Sequence, residues 1–280
     1  MSTFTITRLL VYPVKSMRGI SLEKATLTAK GLENDRLWMV VDADGRFVTQ
    51  KDRPQLALIN TCLVDDGIEL SLPGSGKIFV PFSLHHGDHV ATKVWGSHCE
   101  AVDQGQETSN WLTRALGSER PLRLVRMLPG YQRPTRKTQV MGQEARTVFA
   151  DLAPYLVAGE ASLDRLNSEL ENSGHQAVPM DRFRPNIVIR GLEPFAEHKL
   201  HGVSSDDYSL TMRLHCERCV VTTIDQKTAR KDPDQQPFKT LKGINPMPDE
   251  KPGPAFGHYA TLLSGDGKMI AVGDRLQAMN

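Results

Sequence analysis

The segment His215-Cys216-Glu217-Arg218-Cys219-Val220-Val221-Thr222-Thr223-Ile224-Asp225 holds a C-x-x-C pair beside a histidine and an arginine. Four readings of the pair are open. A structural zinc site needs four ligands, usually two such pairs; here His215 and an isolated Cys or His elsewhere would have to complete the set. A thioredoxin-like redox pair sits at a helix start, where the dipole lowers the thiol pKa, whereas VVTTID reads as a strand. Both sulfurs can be small apolar fillers near a strand end. The fourth reading is a single thiolate ligand to a soft or high-valent metal, with the adjacent Arg218 helping to keep the sulfur deprotonated.

Other reactive residues are scattered. Cys62, within the apolar run LALINTCLV, reads as an inert core residue, and Cys99, beside a Gly-Ser turn, has no evident partner. Four cysteines in 280 residues without a secretion signal are a poor disulfide framework. The basic stretch Arg120, Arg123, Arg126, Arg133, Arg136 and Lys137 has only Tyr131 interleaved and no nucleic-acid motif. It reads as a rim or docking face for an acidic protein, or as a solvated loop. The glycines at 74, 76, 174, 265 and 267 lie in turns, outside the strand-to-helix context that cradles a dinucleotide.

Composition sets few limits. Hydrophobic residues at 39%, charged residues at 24% and a formal net charge of +1 are ordinary for a globular chain. They give no global attraction to nucleic acid or acidic membranes. The N-terminal MSTFTITRLLVYPVKS lacks the apolar run of a signal peptide or membrane span and is not Arg-rich like a transit peptide. A cytoplasmic protein without membrane or nucleic-acid partners is the expectation.

Six short segments, in order, carry a resemblance: V-Y-P-V-K-S (11–16), D-R-L-W (35–38), F-R-P-N (183–186), R-C-V-V-T-T-I-D (218–225), F-G-H-Y (256–259) and V-G-D (272–274). Together they resemble the MOSC superfamily with its N-terminal companion domain, and within it the mitochondrial amidoxime-reducing components and their bacterial relatives. The resemblance implies a molybdenum cofactor, a pyranopterin dithiolene bearing molybdenum and a phosphate. By position Cys219 supplies the protein sulfur to the metal, as catalytic residue and metal ligand, and Cys216 does not. Lys15, Ser16, Arg36, Asp151, Arg184, Asn186, Arg218 and Tyr259 fall at cofactor-binding positions. Guanidinium and ammonium groups suit the phosphate, and the Asn186 amide can donate to and accept from the pterin.

The implied activity is two-electron reduction of small N-hydroxylated substrates, N–OH to N–H with the oxygen taken by molybdenum, independent of pyridoxal phosphate. Its electrons would come from an external protein: a flavin reductase, a ferredoxin or a cytochrome b5-like donor. The alternative is a carrier or sulfur-transfer protein for the cofactor. The chain departs from the family at Asp151-Leu152-Ala153-Pro154, where the amidoxime-reducing components have a hydroxyl-rich Asp-Thr-Ser-Pro. It also shows neither the cysteines of an iron–sulfur domain nor a membrane anchor.

Many short strands must position these residues. TITRLLVYPV, KATLTA, RLWMVVD followed by RFVTQ, LALINTCLV followed by IELSL, KIFVPF, VATKVW and CEAVD run to about residue 103. A helix is expected at 108–117, capped by Thr108 or Ser109 and stopped by Gly117. Beyond it the expected elements are a helix over 159–171, strands at 186–191, 208–216 and 220–225, and a short helix from Pro237 ended by Gly243. A hairpin through Gly265-Asp266-Gly267 closes the chain. The class expected is α+β, β-dominated, with an N-terminal β-barrel-like domain (1–118) packed on a MOSC β-barrel domain (119–280), and the cofactor in the cleft between them.

Overall fold

The opening strand, Thr3–Val11, places Phe4 and Ile6, then Leu9 and Val11, in one core. The change from even to odd positions is made at a register shift between Ile6 and Arg8. One extra residue on one strand of an antiparallel pair turns every following side chain to the opposite face. Leu10 and Tyr12 therefore meet a second core, with Leu166 and Leu170 of the helix Glu160–Asn172. The computed structural model describes residues 3–83, 87–248 and 253–279.

Seven strands close a barrel. In spatial order they are Thr3–Val11, Ile187–Arg190, Tyr155–Gly159, Ala255–Ser264, Ser209–Glu217, Gly202–Ser204 and Arg275–Met279, which returns to the opening strand. Tyr155–Gly159 and Ile187–Arg190 are parallel, and the helix Glu160–Asn172 forms the crossover that a parallel pair requires. The other module pairs the strands Trp38–Asp42, Leu122–Met127, Ser97–Asp103 and His89–Val94 in one sheet. The meander Asn60–Val64, Gly67–Leu72 and Gly76–Pro81 makes another. The helix Gln106–Ala115 seals this half-barrel with Trp111 and Leu112 against Trp38, Val40, Leu56 and Ile68. The molecule is thus β-dominated with two barrel-like modules, as the sequence led us to expect. Among the described residues no helix is long and apolar enough to cross a membrane.

Strand pairing crosses residue 118 in both directions. The opening strand belongs to the barrel of the second half, and Leu122–Met127 pairs with strands of the first. Several local expectations are corrected. Gly105, with φ 90°, is the N-cap of the first helix, while Thr108 and Ser109 lie buried inside it. Residues Val220–Thr223 form a 3₁₀ turn, not a strand. Gly243 lies within the helix Phe238–Ile244. No hairpin closes the chain: Met269–Ala271 pairs with Lys24–Thr28, and Arg275–Met279 completes the barrel. Cys62 is exposed on the meander, whereas Cys99 is buried.

Candidate functional site

A cleft between the half-barrel and the barrel encloses about 830 Å³, open solvent at its mouth included. All nine residues singled out from sequence line it: Lys15, Ser16, Arg36, Asp151, Arg184, Asn186, Arg218, Cys219 and Tyr259. They arrive from six places. Lys15 and Ser16 follow the opening strand, and Arg36 precedes Trp38–Asp42. Asp151 precedes Tyr155–Gly159, while Arg184 and Asn186 lead into Ile187–Arg190. Arg218 and Cys219 leave one central strand of the barrel, and Tyr259 sits on its neighbour.

Positive charge dominates the lining: Lys15, Arg36, Lys51, Arg184 and Arg218 face a single carboxylate, Asp151. The Arg36 guanidinium is 2.5 Å from Asp35 and donates to the Arg184 carbonyl at 3.1 Å. Arg184 donates through one Nη to the Met17 carbonyl at 2.8 Å, and its other Nη is buried without a partner. Both guanidiniums lie over the Tyr12 ring, 4.3 and 4.1 Å from its centroid. These are cation–π contacts that help hold two like charges side by side. Burial, with Arg36 adding to it, lowers Arg184 to about 10 against an attraction from Tyr12.

The Lys15 ammonium, 5% exposed, donates to the Phe149 carbonyl at 2.9 Å and to Asp151 at 2.6 Å. The Trp95 indole N–H donates to the same Asp151 oxygen at 2.6 Å. Desolvation in the cleft opposes the charge on Asp151, whose side chain is still 57% exposed, but Lys15 and the hydrogen bonds outweigh it and hold the carboxyl well below the usual carboxylate range. Burial pushes the Lys15 ammonium down, with Asp151 pulling the other way.

Ser16, Arg36, Trp95 and Arg184 all have left-handed backbone, with φ of 69°, 48°, 50° and 54°. Such a conformation costs a non-glycine residue roughly 1–2 kcal/mol, and its concentration around one cleft marks a site whose geometry is imposed by the surrounding fold.

Cys219 caps the 3₁₀ turn Val220–Thr223, and its carbonyl accepts from the Thr222 N–H at 3.1 Å and the Thr222 hydroxyl at 3.0 Å. The residue is exposed and outside any disulfide. Arg218 does not point where the sequence suggested. It donates to the Cys216 sulfur at 2.7 Å and to the Phe183 carbonyl at 2.8 Å. The Tyr259 hydroxyl also pairs with Cys216. Cys216 is thus a buried anchor for two cleft residues. Burial raises its thiol pKa against the opposing charge of Arg218, and burial next to Cys216 raises Tyr259 well above the ordinary phenol value.

Asn186 is also more occupied than expected. Its amide donates to the Leu10 carbonyl and accepts from the Leu156 N–H, each at 3.2 Å, tying three barrel strands together. One N–H and one lone pair remain for a ligand. The basic stretch is not a continuous face. Arg133 is fully buried and donates to the Val148 and Ala150 carbonyls. Arg126 lies over Trp38 and Phe82, and Arg123 pairs with Asp103. Arg136 and Lys137 are exposed.

Sequence reasoning missed Tyr12, Thr49, Gln50, Lys51 and Trp95. Gln50, fully buried, donates to the Ser16 carbonyl at 2.7 Å and shares an amide pair with Gln226 at 3.0 Å. Tyr12 lies inside V-Y-P-V-K-S and had a signal in that motif. The others sit in turns, where no periodicity marks them.

Residues 3–119 match the MOSC N-terminal beta barrel domain, and residues 144–277 the MOSC domain. The chain is 34% identical over 271 residues to mitochondrial amidoxime-reducing component 1 of Homo sapiens, covering 92% of this chain and 78% of that protein. It is 30% identical to mitochondrial amidoxime reducing component 2 of Homo sapiens, over 92% and 79%. To the molybdenum cofactor sulfurase of Danio rerio it is 34% identical over 86% of this chain but 30% of that protein. The cleft therefore lies in a protein with a MOSC N-terminal and a MOSC domain, and the chain belongs to the family of the amidoxime-reducing components.

Proposed function

We propose that the chain is a molybdenum-cofactor-dependent reductase of N-hydroxylated compounds, converting N–OH to N–H with electrons from a separate redox protein. The observation that carries this reading is the convergence of the exposed Cys219 sulfur with a cluster of cations in one cleft. Lys15 and Arg36 are paired with Asp151 and Asp35, whereas among the described residues Arg184 and Arg218 have no carboxylate at ion-pair distance, and buried charges of that kind are costly unless an anion joins them. The residues fit such a group: one Nη of Arg184 and the Nε of Arg218 are buried without partners, and a phosphate-bearing, acceptor-rich ligand supplies what they lack.

Cys219 would hold the metal through its sulfur, and Lys15, Ser16, Arg36 and Arg184 the anionic end. Asp151, Asn186, Arg218 and Tyr259 would frame the remainder. When bound, the cofactor supplies the two-electron redox couple. The chain supplies geometry. Tyr259 keeps its proton and acts as a hydrogen-bond donor, Arg218 is held by Cys216 and the Phe183 carbonyl, and Asp151 stays ionised to fix Lys15. The hydroxyls missing at Leu152 and Ala153 leave only main-chain groups to meet a ligand there, since both side chains are apolar and buried.

The test is to purify the protein from a cofactor-competent host, assay molybdenum and pterin, and supply reduced viologen with a simple N-hydroxyamidine. One amidine formed per two electrons is expected. Molybdenum-loaded protein that turns over no N–OH compound but passes persulfide sulfur to an acceptor would replace this reading with the carrier.

A further inference from the structure

Behind the cleft, on the other face of the same two strands, three imidazoles converge. Successive residues of a strand point to opposite faces. Cys216 and Tyr259 turn toward the cleft, and their neighbours His215 and His258, which are paired across the strands, turn away from it. His198, from the 3₁₀ turn Ala196–Lys199, lies over them, its ring 4.1 Å from that of His215 and 5.8 Å from that of His258. One ring nitrogen from each residue lies within 4.8 Å of the others.

We propose that His198, His215 and His258 form a second metal site, separate from the cleft, for a borderline divalent ion of the Zn²⁺ class. Two observations carry it. Nitrogen donors are the right type, since imidazole suits zinc and its neighbours better than hard cations. The Nδ1 atoms of His198 and His258 are buried without any partner, although His258 is only 5% exposed, and a buried unpaired ring nitrogen calls for a ligand. The Asn245 amide N–H donates to Nε2 of His198 at 3.0 Å, so a metal on Nδ1 requires the other tautomer, with the Asn245 amide turned to accept from Nε2–H. The pattern of one ring nitrogen on the ion and the other held by the protein is usual for metal-bound histidine.

Donors around one zinc, with bonds of about 2.0–2.1 Å, stand roughly 3.4 Å apart, so about an ångström of ring movement closes the site. Three protein ligands leave a fourth position open to the groove, where Met212 and Met247 give apolar walls and Lys199 and Arg213 disfavour hard cations held by charge alone.

The experiment uses the purified full chain, dialysed against a mild chelator and titrated with Zn²⁺ or Co²⁺ alone. One ion per chain should bind in addition to any molybdenum. The Co²⁺ form should show visible d–d bands without the near-ultraviolet sulfur-to-cobalt band that a cysteine ligand produces. His198→Gln, His215→Gln and His258→Gln should each weaken Zn²⁺ binding beyond the ~10–100-fold typical of losing an outer-shell partner. His201→Gln, on the same groove, should leave it unchanged. Undiminished stoichiometric binding in His258→Gln, a sulfur-to-cobalt band, or no specific binding by the unmodified chain would overturn the site. The spectrum of the unmodified protein decides even if a variant fails to fold.

Discussion

At the scale of single residues, the two cysteines of the C-x-x-C pair stand in different surroundings, Cys216 buried and Cys219 exposed. Cys219→Ser should abolish molybdenum retention and N–OH reduction, because a hydroxyl is a harder and far less acidic ligand than a thiol. Cys216→Ser should be tolerated, since a hydroxyl can still accept from Arg218 and pair with Tyr259. Cys216→Ala leaves both groups buried and unmatched, and should lower stability by about 1–3 kcal/mol per group, read as the midpoint of denaturant unfolding. A common loss of zinc in both cysteine variants would instead point to a C-x-x-C zinc site. Arg36→Ala and Arg184→Ala should each cost cofactor occupancy about tenfold or more, for a charge-assisted bond is worth roughly 1.5–3 kcal/mol. Full occupancy in the double variant would refute the anion cradle. Asp151 gives a pH signature. Its carboxyl is held below its ordinary 3.8 in the folded chain, so the unfolded chain binds the proton first as pH falls. Its stabilising contribution is complete above pH 3.8 and is lost progressively below it. Asp151→Asn should flatten the melting temperature against pH on that acid limb, while an unchanged slope would remove Asp151 from the account.

At the scale of elements, the sequence made some features plain and hid others for physical reasons. Strand existence was legible wherever period-2 burial is clean, as in His89–Val94, where Val90, Thr92 and Val94 alternate with exposed residues. Partners were not legible. Met269–Ala271 follows a Gly-Asp-Gly turn that reads as a hairpin, yet it leaves for Lys24–Thr28, because pairing depends on which edges the barrel offers. VVTTID misled because β-branched residues favour strands, whereas local hydrogen bonds decide here. The Thr222 hydroxyl reaches the Cys219 carbonyl, and the Thr223 hydroxyl the Val220 carbonyl, closing a 3₁₀ turn. Hydroxyl side chains compete with ladder formation in just this way. Cys62 was misjudged because an apolar run says nothing about which face of a two-faced meander meets solvent. The R-C-x-x-T-T-x-D segment is also held at its far end. Asp225 accepts from the Lys227 and Thr228 N–H groups and from Arg182 at 2.8–2.9 Å, which pins the far end of the loop that carries Cys219. Asp225→Ala should therefore destabilise the fold by about 1–3 kcal/mol and speed loss of molybdenum on dialysis. Normal metal retention at reduced stability would show that the loop holds Cys219 without Asp225.

At the scale of the whole molecule, the nine candidate residues that line the cleft were picked out by short segments of sequence, but their assembly depends on a strand exchange that no local pattern displays. The opening strand joins the far barrel, and Lys15 and Ser16 leave it directly into the cleft. The cleft lining reaches solvent at Lys51 and at Trp95, which is 41% exposed. Arg136 donates to the Trp95 carbonyl and, with Lys137, remains exposed nearby, whereas Arg133 is buried beneath them. On the proposed function electrons would reach the cleft from a separate protein, and the exposed patch that an acidic donor would meet is Arg136 and Lys137 rather than the buried Arg133. Attraction between exposed charges is screened within ~10 Å at 0.1 M salt, and mutating rim charges acts chiefly on association. Turnover with a protein donor should consequently fall as salt rises, while turnover with reduced viologen should change little. Arg136→Glu with Lys137→Glu should lower kcat/KM for the protein donor several-fold and leave the viologen reaction and molybdenum content intact. Salt-independent turnover with the protein donor would place its docking face elsewhere, and stoichiometric NADH oxidation by the pure chain would remove the need for a donor protein altogether.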